Sequence, residues 1–406
     1  MEILVVLEDQ RRAGARILEI LTADLRIFEV ADGRLGAEGD IQDVADRRHP
    51  LIEPIGARRL IPVEAAMGRS DRDRRKRRDG STDRRAVAAV ALQVRAESHG
   101  HIDIRFGTAA PAAGQVPANR LATLAHGTNI TRWFTNQHAP DFYEHYLPPE
   151  VFRQLKEARF TYVRIPLVPG VFQGTDGNLN KAMVKILVEQ LAMAEQAGLG
   201  VMVQPQRQQW KLDTPHDREL FLAFWDQLAP FLAPLDKNLT FPELVNEPNF
   251  PKDSDWDDLQ SKALTVVRRH LPGSTVIVTG NHWSSIDGLT DIRILPDKNV
   301  VYSFHFYEPS FLVSEYRSIA AEDIPAVAAL PFPITDQASC LSAANLAHSS
   351  DTRGQIKYYC SKSGWTVDKV KALIRRAAAW GSANHVPVAN TEIGIHDTRS
   401  KTTRLA

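Results

Sequence analysis

From about residue 120 the chain alternates short apolar runs with amphipathic helical patterns, and this alternation constrains the fold more than any other feature. Parallel strands cannot be joined by a tight turn. They need a crossover, usually a helix, so a strand–helix rhythm predicts a parallel sheet built from βα units. The strand pattern falls on "LATLAHGTNI" (121–130), "TYVRIPL" (161–167), "GLGVMVQ" (198–204), "LTFPELVN" (239–246), "STVIVTG" (274–280), "NVVYSFHF" (299–306) and "VPVANTEI" (386–393). Between them, residues 181–198 repeat apolar side chains at helical spacing and stop at Gly198. Residues 217–232 and 256–271 follow the same period. Residues 366–381 open on a capping Thr366 and are expected to close at Gly381.

Seven strands in this rhythm predict a (β/α)8 barrel spanning 116–406, in which chemistry gathers on the loops after the strands. The residues at those strand ends are Arg132, Arg164, Gln204 to Gln206, Asn246 with Glu247, Asn281 to Trp283, His305 to Tyr307, and Glu392. Burying a bare carboxylate costs several kcal/mol unless it is paired or protonated. The run of an apolar strand into Asn246–Glu247–Pro248 therefore suits a carboxylate held at the barrel mouth.

The first hundred residues are different. They hold one aromatic, Phe28, and eighteen Arg, densest in "RSDRDRRKRRDGSTDRR" (69–85), whereas all seven Trp and all eight Tyr come after position 130. Such a composition buries too little apolar area to offset ordering entropy. Residues 1–115 are therefore expected to be a weakly structured or disordered extension, with a helix near 10–22. The basic run reads as a solvated linker, with a nucleic-acid tail as its rival. Formal net charge is zero, and no apolar run approaches a membrane span, so neither a nucleic-acid nor a membrane partner is expected. "MEILVVLEDQRR" is a poor export signal, while a start at Met67 would place a basic stretch before "AVAAVALQV".

The segments "GTNITRWF", "YVRIP", "ELVNEP", "TGNHW", "SFHFYEP" and "NTEIG", in this order, resemble the cellulases of glycoside hydrolase family 5 over residues 120–397. "NEP" alone is a weak signal; joined to "HFY" two strands later and a Glu one strand further, it is a strong one. The resemblance implies a retaining hydrolase of β-1,4-linked glucan, with Glu247 as acid/base and Glu392 as nucleophile. It implies that Arg164 keeps Glu392 ionised, that Asn246 binds the sugar 2-hydroxyl, and that His305 and Tyr307 support the pair. No cofactor or metal is implied, because two carboxylates suffice. The resemblance further suggests a secreted or periplasmic enzyme and a polysaccharide as partner of a monomer. Trp133, Trp210 and Trp283 follow the first, third and fifth candidate strands, where flat rings can stack on sugar; the alternative for Trp210, as for Trp256, is the core. Glu243 reads as an ion-paired residue inside the barrel. Cys340 and Cys360 are either a disulfide or two thiols.

Two departures stand out. Where the family carries Asp-Leu-His after the third strand, this chain has Gln204 and Gln206, so altered sugar contacts are expected, with Gln206 among the binding residues. The chain also ends fourteen residues after Glu392, so a barrel lacking its last βα unit is expected, and with it a rival function as a non-catalytic carbohydrate-binding barrel. Limited proteolysis is expected to release 1–115 and leave a fragment starting near residue 116. Equal resistance across both parts would mark the extension as a domain.

Overall fold

The computed structural model describes residues 92–96, 102–106, 115–207, 210–313, 319–361 and 364–394. Within the N-terminal extension it forms an antiparallel pair, β1 (Leu92–Ala96) and β2 (Ile102–Phe106), with Leu92 opposite Phe106. This pair lies within the stretch expected to be weakly structured or disordered. The expected helix near 10–22 and the Arg-rich run lie outside the described residues.

The barrel strands are β3 (Gly127–Asn129), β4 (Tyr162–Leu167), β5 (Gly200–Pro205), β6 (Thr240–Pro242), β7 (Val276–Thr279), β8 (Val300–Phe306) and β9 (Val388–Ile393). All pair in parallel, in the order β3-β4-β5-β6 and β7-β8-β9. A single parallel bridge from Glu243 to Ile277 joins the two sets. Asn129 Nδ2 donates to Thr391 O at 3.3 Å, linking β3 to β9 through a side chain. β4, β5 and β8 are buried along their whole length, which is why they read as continuous apolar runs. The expected absence of an eighth βα unit falls on residues 395–406, outside the described residues.

The main helices are α1 (Ala118–Thr123), α2 (Lys181–Gln196), α3 (Pro215–Leu232), α4 (Asp253–His270), α5 (Ser350–Ser361) and α6 (Val367–Asn384). Local chemistry sets several of their ends. Asn180 caps α2 by accepting from the amides of Ala182 and Met183. Thr214 caps α3, and Thr366 caps α6 as expected. Gly198 sits just past α2 at φ +79°, where a side chain would be strained.

Two expectations fail for reasons of packing. The predicted first strand, 121–130, begins as helix: α1 covers the barrel floor, and Val116 and Leu124 join an interior layer of Tyr162, Met202, Phe241, Ile277, Val301 and Ala389. That layer takes one residue from each of β4 to β9. Arg120 is buried there, its guanidinium donating to Gly273 O, Thr275 Oγ1 and Asn238 Oδ1. Gly381 does not stop α6, which runs on to Asn384 with His385 in the left-handed cap. The glycine is instead a place of close approach, since a Cβ there would lie 2.5 Å from Val388 Cγ2.

Helix tryptophans tie the outer layer to the strands. Trp225 Nε1 donates to Leu244 O and Trp256 Nε1 to Thr279 O, both at 2.8 Å, and both rings are buried. Between β8 and α6 lies an insertion with its own core, including Leu312, Val327, Leu330, Ile356 and Tyr359. Cys340 and Cys360 form a disulfide inside it, which decides between the two readings left open by the sequence. The bridge closes a loop of sequence separation 20, worth about 3 kcal/mol in chain entropy. Reduction is expected to strip hydrogen-exchange protection from residues 324–361 while β4 and β5 keep theirs. Unchanged protection in the insertion would show that its core suffices.

Candidate active site

Arg164 occupies the centre of the barrel mouth. It stands two residues beyond Tyr162 of the interior layer, so period-two alternation turns it inward. Its side chain is 1 % exposed. Nε and Nη2 donate to the two carboxylate oxygens of Glu243 at 2.6 and 2.9 Å, Nη2 also to Asn246 Oδ1 at 2.9 Å, and Nη1 to Asn129 Oδ1 at 2.9 Å and to Glu392 Oε1. Burial alone would lower the pKa of the guanidinium, but the charges of Glu243 and Glu392 raise it above its ordinary value. Glu243, fully buried, is thus the ion-paired residue the sequence suggested.

Glu392 owes its direction to an irregular pairing. Phe304 faces Asn390, but His305 faces Glu392, so Thr391 is an extra residue on β9. Alternation from the inward Ala389 would turn Glu392 away from the interior; the register shift brings it back. Its Oε2 accepts from the Tyr307 hydroxyl at 2.8 Å and lies 3.4 Å from His305 Nδ1. Burial pushes the Glu392 carboxyl up, yet the His305 and Arg164 charges and the Tyr307 and Arg164 hydrogen bonds outweigh it and hold the pKa below the ordinary glutamate value. The Tyr307 hydroxyl is pushed up, first by burial and then by the Glu392 charge, so it stays a donor.

Glu247 follows β6 in a left-handed conformation, φ +47°. It contacts the same imidazole nitrogen, with His305 Nδ1 3.0 Å from its Oε1. Oxygens of Glu247 and Glu392 and the His305 nitrogen all lie within 4.8 Å of one another. The Glu247 loop is braced by its neighbour: Phe250 N–H donates to Asn281 Oδ1, and Asn281 Nδ2 donates back to Phe250 O. The Trp283 amide donates to Pro248 O. His282, Trp283 and Ser284 are all left-handed, φ 56°, 59° and 57°. Strain of this kind persists only where surroundings hold it, and it clusters at functional sites.

The structure therefore gathers Arg164, Asn246, Glu247, His305, Tyr307 and Glu392 at one mouth. Gln206 joins them by accepting from Asn246 Nδ2 at 3.1 Å. Trp283 is 53 % exposed beside the Glu247 loop, with the Arg207 guanidinium 4.6 Å above its ring. Trp133 does not belong. It is fully buried, its indole donates to Tyr143 O at 2.9 Å, and it stacks on Phe134, so it has no face to offer a sugar. Trp210 is buried as well, against Phe221 and Phe224. Sequence reading missed Asn129 and Arg207. Asn129 sits in the quoted "GTNITRWF", so its signal was there, whereas Arg207 lies among residues with no distinguishing pattern.

The model of the cellulase family, glycosyl hydrolase family 5, matches residues 124–405. The chain belongs to this family. Endoglucanase H of Acetivibrio thermocellus is 27% identical over 170 residues, which are 41% of this chain and 19% of that protein. Endoglucanase C of the same species is 22% identical over 209 residues, 48% of this chain and 61% of that protein. The chain thus spans less than two thirds of either relative. Among solved structures, a hyperthermophilic endo-β-1,4-glucanase in complex with substrate superposes with TM-score 0.56 at 20% identity, covering 70% of this chain and 83% of that one. The Thermotoga maritima endoglucanase Cel5A gives 0.55 at 21%, covering 70% and 84%. At such identities the likeness carries the (β/α)8-barrel fold alone.

Two groups among the described residues have metal-ligand spacing: Glu247, His305 and Glu392, and Asp253, His282 and Asp291. The first suits proton transfer better than a divalent ion, because Arg164 already places a fixed positive charge on Glu392. The depressed Glu392 pKa stabilises the folded state above the unfolded value of about 4.3, and that contribution is lost as pH falls through the folded value. Tyr307→Phe removes one hydrogen bond to the charged carboxylate, worth about 1.5 kcal/mol. The Glu392 midpoint, followed by carbon-13 NMR of labelled carboxyls, is expected to rise by about one pH unit. No movement would leave the depression to Arg164 and His305 alone.

Proposed function

We propose that this chain is a retaining glycoside hydrolase that cleaves β-1,4-linked glucan internally. One observation carries the reading: the carboxylate oxygens of Glu247 and Glu392 lie within 4.8 Å of each other around His305. Retaining enzymes hold their carboxyl groups about 5–5.5 Å apart, whereas inverting ones need about 6.5–9.5 Å to admit a water. Membership of the cellulase family and the endoglucanase relatives support glucan as the substrate class.

The two carboxylates take different parts because their surroundings differ. Glu392, held as an anion by Arg164, His305 and Tyr307, attacks the anomeric carbon. Glu247, more exposed at 27 % against 14 % for Glu392, gives its proton to the departing glycosidic oxygen. Glu247, now a carboxylate, then takes a proton from water, whose oxygen attacks the same carbon and releases Glu392 with net retention. The second amide proton of Asn246 is suited to the sugar 2-hydroxyl, since its carbonyl is fixed by Arg164 and one N–H by Gln206. The exposed Trp283 ring offers a stacking face beside the acid/base.

The release of reducing ends from soluble cellulose derivatives tests the activity; retention of polymer without release would make the protein a binder. Glu392→Gln is expected to abolish turnover, because an amide cannot form the glycosyl-enzyme. Glu247→Ala is expected to lose about a hundred- to ten-thousandfold on poor leaving groups. On activated aryl cello-oligosaccharides it is expected to be rescued by azide as a β-glycosyl azide. An α-azide product, or full activity in Glu392→Gln, overturns the assignment.

A further inference from the structure

The inserted region between β8 and α6 carries a groove of about 500 Å³ whose lining includes Phe311, Asp351, Gly354, Gln355, Tyr358 and Trp365. This volume lies within the range of small-ligand sites. We propose that this groove is a distal binding subsite for the glucan chain, a reading that rests on the glucanase function above.

Four of the lining residues share one helical face. Asp351, Gly354, Gln355 and Tyr358 stand at i, i+3, i+4 and i+7 of α5. Tyr358 is 64 % exposed, and it and Trp283 are the exposed large aromatic rings among the described residues. A β-1,4-linked pyranose has two flat C–H faces and a rim of equatorial hydroxyls. It is matched by aromatic faces flanked by polar groups that both donate and accept. Tyr358 supplies the face, while Trp365, packed against the insertion core and with Lys369 Nζ 4.1 Å from its ring centroid, forms the wall beside it. Gln355 Nε2 donates to Asp351 Oδ2 at 3.0 Å, which sets an amide and a carboxylate side by side along the groove.

Gly354 lines the groove on the same helical face as the polar pair. Glycine is a poor helix former, and here packing does not require it, since an added Cβ would meet nothing within 4 Å. Its effect is to keep the middle of the groove open.

Continuity argues for glucan over other occupants. Ser310, another lining residue, comes three residues after Tyr307, whose hydroxyl binds Glu392. Three residues span at most about 11 Å, so one wall of the groove lies on the same loop that carries Tyr307. A glucan chain held at Glu392 and following that loop toward the insertion is the occupant this continuity favours.

The test compares the wild type with Tyr358→Ala, Gly354→Phe and Gly354→Ala on neutral hydroxyethyl-cellulose and on an aryl β-cellobioside. Tyr358→Ala removes the platform, and Gly354→Phe fills the groove while improving helix propensity. Gly354→Ala is the control that leaves it open. The first two are expected to lose about tenfold in kcat/KM on the polymer, chiefly through KM, a change of ~1.4 kcal/mol. Turnover of the cellobioside should stay within about twofold. Gly354→Ala should match the wild type on both and melt no lower. Equal losses on both substrates, or no loss on the polymer, overturn the subsite. If the wild type cleaves neither substrate, the function proposed above fails, and native electrophoresis in gels containing hydroxyethyl-cellulose decides the groove. Retardation of the wild type that Tyr358→Ala and Gly354→Phe abolish sustains it. Absence of retardation, or retardation that both variants keep, overturns it.

Discussion

The buried guanidinium of Arg164 is the interaction on which the site depends. Its five N–H donors each meet one acceptor, from Glu243 twice and from Asn246, Asn129 and Glu392 once. A buried cation left with an unmatched donor would cost heavily in desolvation. Four side chains from three stations around the barrel, β3, the end of β6 and β9, are therefore held in register by one planar group. Lysine could not replace it, because a point charge with three donors cannot reach this set of acceptors in their fixed geometry. Glu243 shares the charge with Glu392: fully buried itself, it allows the arginine to sit inside the barrel while Glu392 still gains a lowered pKa.

Around that centre the loops are cross-braced. Asn281 and Phe250 exchange two hydrogen bonds between the loops after β6 and β7, and the Trp283 amide reaches Pro248. These contacts hold Glu247 and three consecutive left-handed residues in conformations that non-glycine side chains otherwise avoid. Preorganisation of this kind favours catalysis because the groups need not reorganise as charge develops. The Gln206 amide takes part by orienting Asn246, so the departure from the family pattern after the third barrel strand has a place in the hydrogen-bond network.

Much of the fold was legible because a buried parallel strand and an amphipathic helix have different periods. The apolar runs at 162–167, 200–205 and 300–306 appear as β4, β5 and β8, and the helical patterns appear as α2, α3, α4 and α6. The errors have a common cause in tertiary packing. Residues 121–123 read as the start of the first strand, 121–130, yet the floor of the barrel takes them as the end of a helix over 118–123. Gly381 has the composition of a helix stop, yet it serves an approach to Val388. Trp133 stands where a sugar platform was expected, yet three aromatic neighbours bury it.

The sequence by itself determined the chemistry available at each strand end, because residue type and the order of βα units are written along the chain. It placed Glu247 and Glu392 after the fourth and seventh barrel strands and Arg164 on the second. Only the tertiary structure decided that they meet. Period-two alternation points Arg164 and Glu243 inward but turns Glu392 outward, and the extra residue at Thr391 reverses that direction. A register shift is a property of two paired strands, set by the hydrogen bonds between β8 and β9, and no pattern within one of them encodes it.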